Sequence, residues 1–109
     1  EEIVAGKGDC YEANGRFVSK GHDKDLVLCH GLAILSTNGK PFGHCWIEKG
    51  GMVLDFSNNR KIILNKKKYY ELGGIPANGK KIHKYSVEET MINMLKHEHW
   101  GPWDYNPPR

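Results

Sequence analysis

Apolar positions along the chain gather into short runs divided by glycine, asparagine and lysine clusters, and the spacing inside each run predicts an element. In "DCYEANGRFVS", residues 9 to 19, Asp9 suits the N-cap of a helix and Cys10 to Ala13 fit its first turns, although Asn14-Gly15 prefers a turn and argues against its continuation. Residues 25 to 35, "DLVLCHGLAIL", are too apolar for an exposed strand and predict a central one, with Gly31 as the place for a bend. "GHCWIEK" at 43 to 49 and "MVLDF" at 52 to 56 are joined by Gly50-Gly51, a pair suited to the positive φ angles of a tight hairpin. Apolar stretches at 61 to 64 and 81 to 85 extend the sheet, and "NKKKYYEL" between them makes a brief helix. From Ser86, "SVEETMINMLKHEH" opens with a capping box of Ser86 and Glu89 and places Val87, Met91, Met94 and Leu95 at helical spacing. That helix is expected to cover the sheet, with its methionines filling the core. Prolines deny regular structure to the closing "PWDYNPPR", which Trp100 and Trp103 staple to the body.

These elements predict one α+β domain over residues 1–109: an N-terminal helix carrying Cys10, an antiparallel sheet with the 43–56 hairpin, and a C-terminal helix. A length of 109 residues allows one modest core, and a hydrophobic fraction of 39% with 27% charged residues is ordinary for a globular chain. The formal charge of +3 is mild, and the run Lys66-Lys67-Lys68 reads as a solvated face, so no nucleic-acid partner is expected. No apolar run approaches the roughly 20 residues that span a bilayer, and no signal-peptide pattern opens the chain. The chain therefore reads as soluble and free of membrane, although its first residue is Glu rather than Met and leaves a removed leader open. The cysteines at 10, 29 and 45 are odd in number and form no disulfide framework, which favours a reducing, cytoplasmic compartment.

The hairpin carries the chemistry. With Gly50-Gly51 as the turn, Lys49 faces Met52 and Trp46 faces Asp55, so His44, two residues along, projects from the same face. A diagonal of about 7 Å between such positions lets the imidazole and carboxylate meet. One ring nitrogen can then be held by Asp55 while the other points elsewhere, as an orienting acid requires. A cysteine at the start of a helix complements such a pair, because the positive end of the helix dipole and a nearby imidazolium both favour a thiolate. Cys10 as nucleophile, His44 as base and Asp55 as orienter make acyl transfer through a thioester, with the Cys10 backbone N–H as a first oxyanion donor. Trp46 is a candidate substrate-binding wall, or else a core aromatic. Neighbours on a strand point to opposite faces, so neither Cys29-His30 nor His44-Cys45 can chelate one ion; no metal site and no cofactor are expected. Cys29 and Cys45 read as core thiols, and His22, His83, His97 and His99 as mostly surface residues.

The order Cys10, His44, Asp55, with "GHCWIE" followed by "GGMVLDFS", resembles the core of papain-like and transglutaminase-like cysteine enzymes, over roughly residues 8 to 57. The likeness is nearest to small bacterial and viral members with an H-x-W-x-E strand, which implies a bacterial or viral origin. Within the same superfamily, "GDCYEANGRF" is similar to the C-x-E-x-N motif of arylamine N-acetyltransferases, which are much longer chains. The resemblance implies a cysteine helix packed on an antiparallel sheet that presents the histidine and aspartate. It implies a cysteine-dependent hydrolase or acyltransferase, whether protease, amidase or transglutaminase-like, acting on an amide or (thio)ester. No glutamine stands a few residues before Cys10, where papain-like proteases keep an oxyanion donor. So small a domain has few loops for a deep cleft, and a peptide or protein side chain is the expected substrate. The rival expectation is an inactive binding module of the same fold that sequesters a partner.

Overall fold

The hairpin turn sets the register of the sheet. Gly50 takes φ 59°, a left-handed conformation that a residue without Cβ adopts at little cost, and Lys49 faces Met52, Glu48 faces Val53 and Ile47 faces Leu54 as the spacing requires. The structure is a computed structural model that describes residues 9–34, 38–76 and 81–107; the side chain of Asp9, and with it the expected N-cap, lies outside the described residues. In chain order the elements are α1 (Asp9–Ser19), β1 (Val27–Ile34), β2 (Pro41–Lys49), β3 (Met52–Asp55), a 3-10 turn (Ser57–Asn59), β4 (Ile62–Asn65), α2 (Lys66–Gly73), β5 (His83–Tyr85) and α3 (Val87–His97). The strands form one antiparallel sheet in the order β4-β3-β2-β1-β5, an α+β arrangement with β2 in the middle and β1 in its interior.

Alternation along the strands builds two cores, one on each face. Leu28, Cys45 and Ile47 pack with Tyr11 and Val18 of α1 and Val87 of α3. Cys29, Ala33, Trp46 and Val53 pack with Tyr69 and Tyr70 of α2. Cys29 and Cys45 are thus core thiols, and all three cysteines are free. Contrary to the expectation of a turn, α1 continues through Asn14 and Gly15. A Cβ on Gly15 would stand 2.7 Å from the Trp100 ring, so the glycine is there for close packing. Tertiary contact overrides the local preference of the Asn-Gly pair.

The Ser86–Glu89 capping box forms, but α3 docks on α1 and β5 by its first turn, burying Val87 and Thr90. Its methionines do not fill the core: Met91 is exposed and Met94 half-buried, while Leu95 is 77% exposed. Residues 98–107 hold no helix or strand and fold back over α1 and β1. Trp103 packs against His30, Tyr85 and His97, so the expected staple is present. His30 is wholly buried beneath this segment, with Tyr11 and Tyr85 also edge-on to its ring. Burial lowers its pKa to about 3 from 6.5. Among the described residues no helix is long and apolar enough to cross a membrane.

Candidate active site

The site begins where two strands part. β2 and β3 stop pairing after Ile47 and Leu54, although the alternation of the ladder makes Cys45 and Phe56 the next hydrogen-bonded pair. The side chain of Asn14, wholly buried on α1, occupies the gap. Its Nδ2 donates to the Cys45 carbonyl at 3.0 Å and its Oδ1 accepts from the Phe56 N–H at 2.9 Å, so a carboxamide does the work of a peptide unit. Splaying the strands leaves room for polar side chains at the end of β3, and the same Asn14 Nδ2 reaches Asp55 Oδ1 at 3.1 Å.

Asp55, 3% exposed, is held from both sides. Oδ1 also accepts from the Ser57 N–H at 3.0 Å and the Ser57 hydroxyl at 2.8 Å, while Oδ2 accepts from the Tyr69 hydroxyl at 2.6 Å. Burial alone would raise the carboxyl's pKa, but hydrogen bonding and charge from His44, followed by these donors, hold it below the usual carboxylate range. His44 Nε2 lies 2.7 Å from the Tyr69 oxygen and 3.5 Å from Asp55 Oδ2. His44 and Asp55 therefore share a face and meet, as the hairpin geometry predicted. What that geometry could not show is a hydroxyl beside both.

Cys10 comes from the opposite side of the same gap, on the first turn of α1 one turn before Asn14. Burial by itself would lower the imidazole's pKa, yet the neighbouring Asp55 carboxylate, followed by the Cys10 side chain, outweighs it and raises His44 to about 9 from 6.5. His44 Nδ1 is buried and has no hydrogen-bond partner, while Nε2 is engaged by Tyr69. The Cys10 side is covered, at 2% exposure. There the C-terminal segment crosses: the Tyr105 hydroxyl donates to the Gly31 carbonyl at 2.9 Å and stands 2.6 Å from the Tyr11 hydroxyl. Pro107 lies where a side chain on Gly43 would otherwise be, 2.5 Å from such a Cβ. On the α2 side a cavity of about 200 Å³, walled by Phe42, Ile62, Leu64 and Leu72, has His44 and Tyr69 in its lining.

Trp46 shares the face of His44 and Asp55, as expected, and its ring stacks 5.8 Å from the imidazole. It is wholly buried, however, and donates Nε1 to Glu48 Oε2 at 3.0 Å. The substrate contact expected of it gives way to a core role, because α2 packs over this part of the sheet. Sequence reasoning missed Tyr69 and missed the structural use of Asn14. The "YY" of α2 followed no period that singled out either tyrosine, whereas Asn14 was at hand as the last residue of the C-x-E-x-N likeness. No protein-family model, curated protein or solved structure matches the chain.

Proposed function

We propose that this chain is a cysteine-dependent hydrolase or acyltransferase of papain-like or transglutaminase-like type, acting on an amide or (thio)ester. The observation that carries the reading is the state of His44: Nε2 is anchored, Nδ1 is free, and Cys10 acts on a ring whose pKa is raised to about 9. An imidazolium so placed is the usual companion of a nucleophilic thiolate. Nδ1 takes the thiol proton and the Cys10 sulfur attacks the substrate carbonyl carbon. The bond to the leaving nitrogen, oxygen or sulfur then breaks as His44 returns the proton to it, leaving a thioester on Cys10. Water or an amine attacks that thioester, His44 accepts its proton, and the sulfur departs and is reprotonated. The backbone N–H of Cys10 is a donor for the oxyanion. The apolar cavity beside His44 suits an uncharged side chain of a peptide or protein substrate.

The test is alkylation of each cysteine by iodoacetamide against pH, read by mass spectrometry in the parent and in His44→Ala. Cys10 alone is expected to react fast below the ordinary thiol value of about 8.5, and to slow at least about tenfold without His44. A Cys10→Ala protein that still turned over every ester and amide its parent accepts would end the proposal. One observation favours a second reading, an inactive module that binds a partner: the thiol is 2% exposed. That reading predicts a Cys10 as inert as Cys29 and Cys45, and partner binding that survives Cys10→Ala.

A further inference from the structure

The contact between His44 and Asp55 is too long for a normal hydrogen bond at 3.5 Å, while Tyr69 makes two good ones, at 2.7 Å to His44 Nε2 and 2.6 Å to Asp55 Oδ2. A tyrosine hydroxyl has one proton to give. An ionised carboxylate has none, and the four donors around Asp55 leave its oxygens as acceptors throughout. The Tyr69 proton therefore points at Asp55, and its oxygen turns a lone pair toward Nε2. Burial and the charge of Asp55 both push the Tyr69 pKa up, so the hydroxyl keeps that proton. Nε2 must then carry a hydrogen, and in the neutral ring the lone pair falls to Nδ1.

We propose that Tyr69 is a positioning residue: its hydroxyl stands between His44 and Asp55, accepts the Nε2 hydrogen, and so fixes the tautomer that leaves the lone pair on Nδ1, the nitrogen the catalytic reading pairs with Cys10. Asp55 acts on the imidazole chiefly through this hydroxyl. The inference rests on the catalytic reading only for the pairing of Cys10 with His44; the tautomer itself follows from the donors and acceptors around Nε2.

The experiment is ¹⁵N and ¹H NMR of the histidine rings in the parent and in Tyr69→Phe, on both sides of the His44 pKa, beside the Cys10 alkylation profile of the same proteins. In the parent, neutral His44 is expected as the Nε2–H tautomer with a slowly exchanging, downfield Nε2 proton. In Tyr69→Phe that proton moves upfield and exchanges faster, and alkylation of Cys10 below its ordinary pKa slows about tenfold, the effect of one lost hydrogen bond. A parent ring protonated on Nδ1 overturns the proposal, as does a Tyr69→Phe protein whose Nε2 proton and alkylation profile match the parent's. If Tyr69→Phe fails to fold, the parent's tautomer decides alone. A Cys10 that is inert in every protein, with Nε2–H still present and sensitive to Tyr69, counts against the catalytic reading and leaves this one standing.

Discussion

Two buried carboxylates on the α2 face of the sheet are built alike and used differently. Asp55 and Glu48 each accept a hydroxyl from one of two consecutive tyrosines, Tyr69 and Tyr70, and each stands beside an aromatic ring from β2, His44 or Trp46. Around Glu48 the ring is an indole, which donates and cannot titrate, and Lys66 and Lys84 approach Oε1 at 3.5 Å each. Burial raises the Glu48 pKa, but Tyr70, Trp46 and these lysines outweigh it and leave it lowered. Around Asp55 the ring is an imidazole, and the cationic partner is His44 itself. A buried carboxylate with its tyrosine is scaffolding; a partner able to gain and lose a proton is what makes the same scaffold a candidate for chemistry.

Removing the two carboxylates separates these roles most sharply. Asp55→Ala strands the Ser57 and Tyr69 hydroxyls and one of the two N–H groups of Asn14 Nδ2, leaves His44 without its carboxylate, and is expected to cost about 3–5 kcal/mol, as for a broken buried ion pair. Glu48→Ala strands Trp46 Nε1 and the Tyr70 hydroxyl and is expected to cost about 1–3 kcal/mol. Urea unfolding measures both. Cys10 alkylation should fall in the first variant and hold in the second, and an equal fall in both would erase the distinction.

The next effect is on pH. The pKa of His44 is raised in the fold, so its contribution to stability is complete below the unfolded value of 6.5 and is lost as pH rises through about 9. The shift corresponds to about 3 kcal/mol, shared with the groups that hold the proton, Asp55 and Cys10. His30, lowered to about 3, works in the other direction and only below 6.5, outside this window. Unfolding midpoints taken from pH 7 to about 8.5, below the range where the raised thiols of buried Cys29 and Cys45 begin to cost stability, should therefore decline in the parent and flatten in His44→Gln. Glu48→Gln should keep the parent's slope, since Glu48 stays ionised here and Tyr70 is pushed up out of the window. A flat parent profile would contradict the charge state assigned to His44. The smallest change is Lys84→Ala: the lysine is about half exposed, so its loss should cost less than about 1 kcal/mol in urea and leave Cys10 reactivity alone.

The hairpin was the most legible part of the chain, because turn chemistry and a period of two together determine which side chains share a face. From that alone His44, Trp46 and Asp55 fell on one side, and the approach of Cys10 followed from a helix beginning at residue 9. What stayed hidden was tertiary. Asn14 reads as a turn former beside Gly15, and nothing local says that its carboxamide will replace a missing backbone pair between Cys45 and Phe56. Tyr69 is legible only as half of "YY", since its role depends on where α2 lands. The spacing of Met91, Met94 and Leu95 marks a helix correctly without marking which way it faces, and α3 docks by Val87 and Thr90 instead. His30 disappears into its core for the same reason: the residues that enclose it come from α1, β5 and the C-terminal segment.

The bond between the hydroxyls of Tyr11 and Tyr105 joins positions 94 residues apart. A chain made from its N-terminus presents the cysteine-bearing helix long before it presents that partner. At synthesis rates of about 5–20 residues per second, roughly 5 to 20 seconds separate the two tyrosines. Closing so long a loop adds little entropy beyond that of a shorter one, so the wait is imposed by the ribosome and not by the search. During that interval Tyr11, the residue after Cys10, lacks the hydroxyl partner that later ties the C-terminal segment to α1.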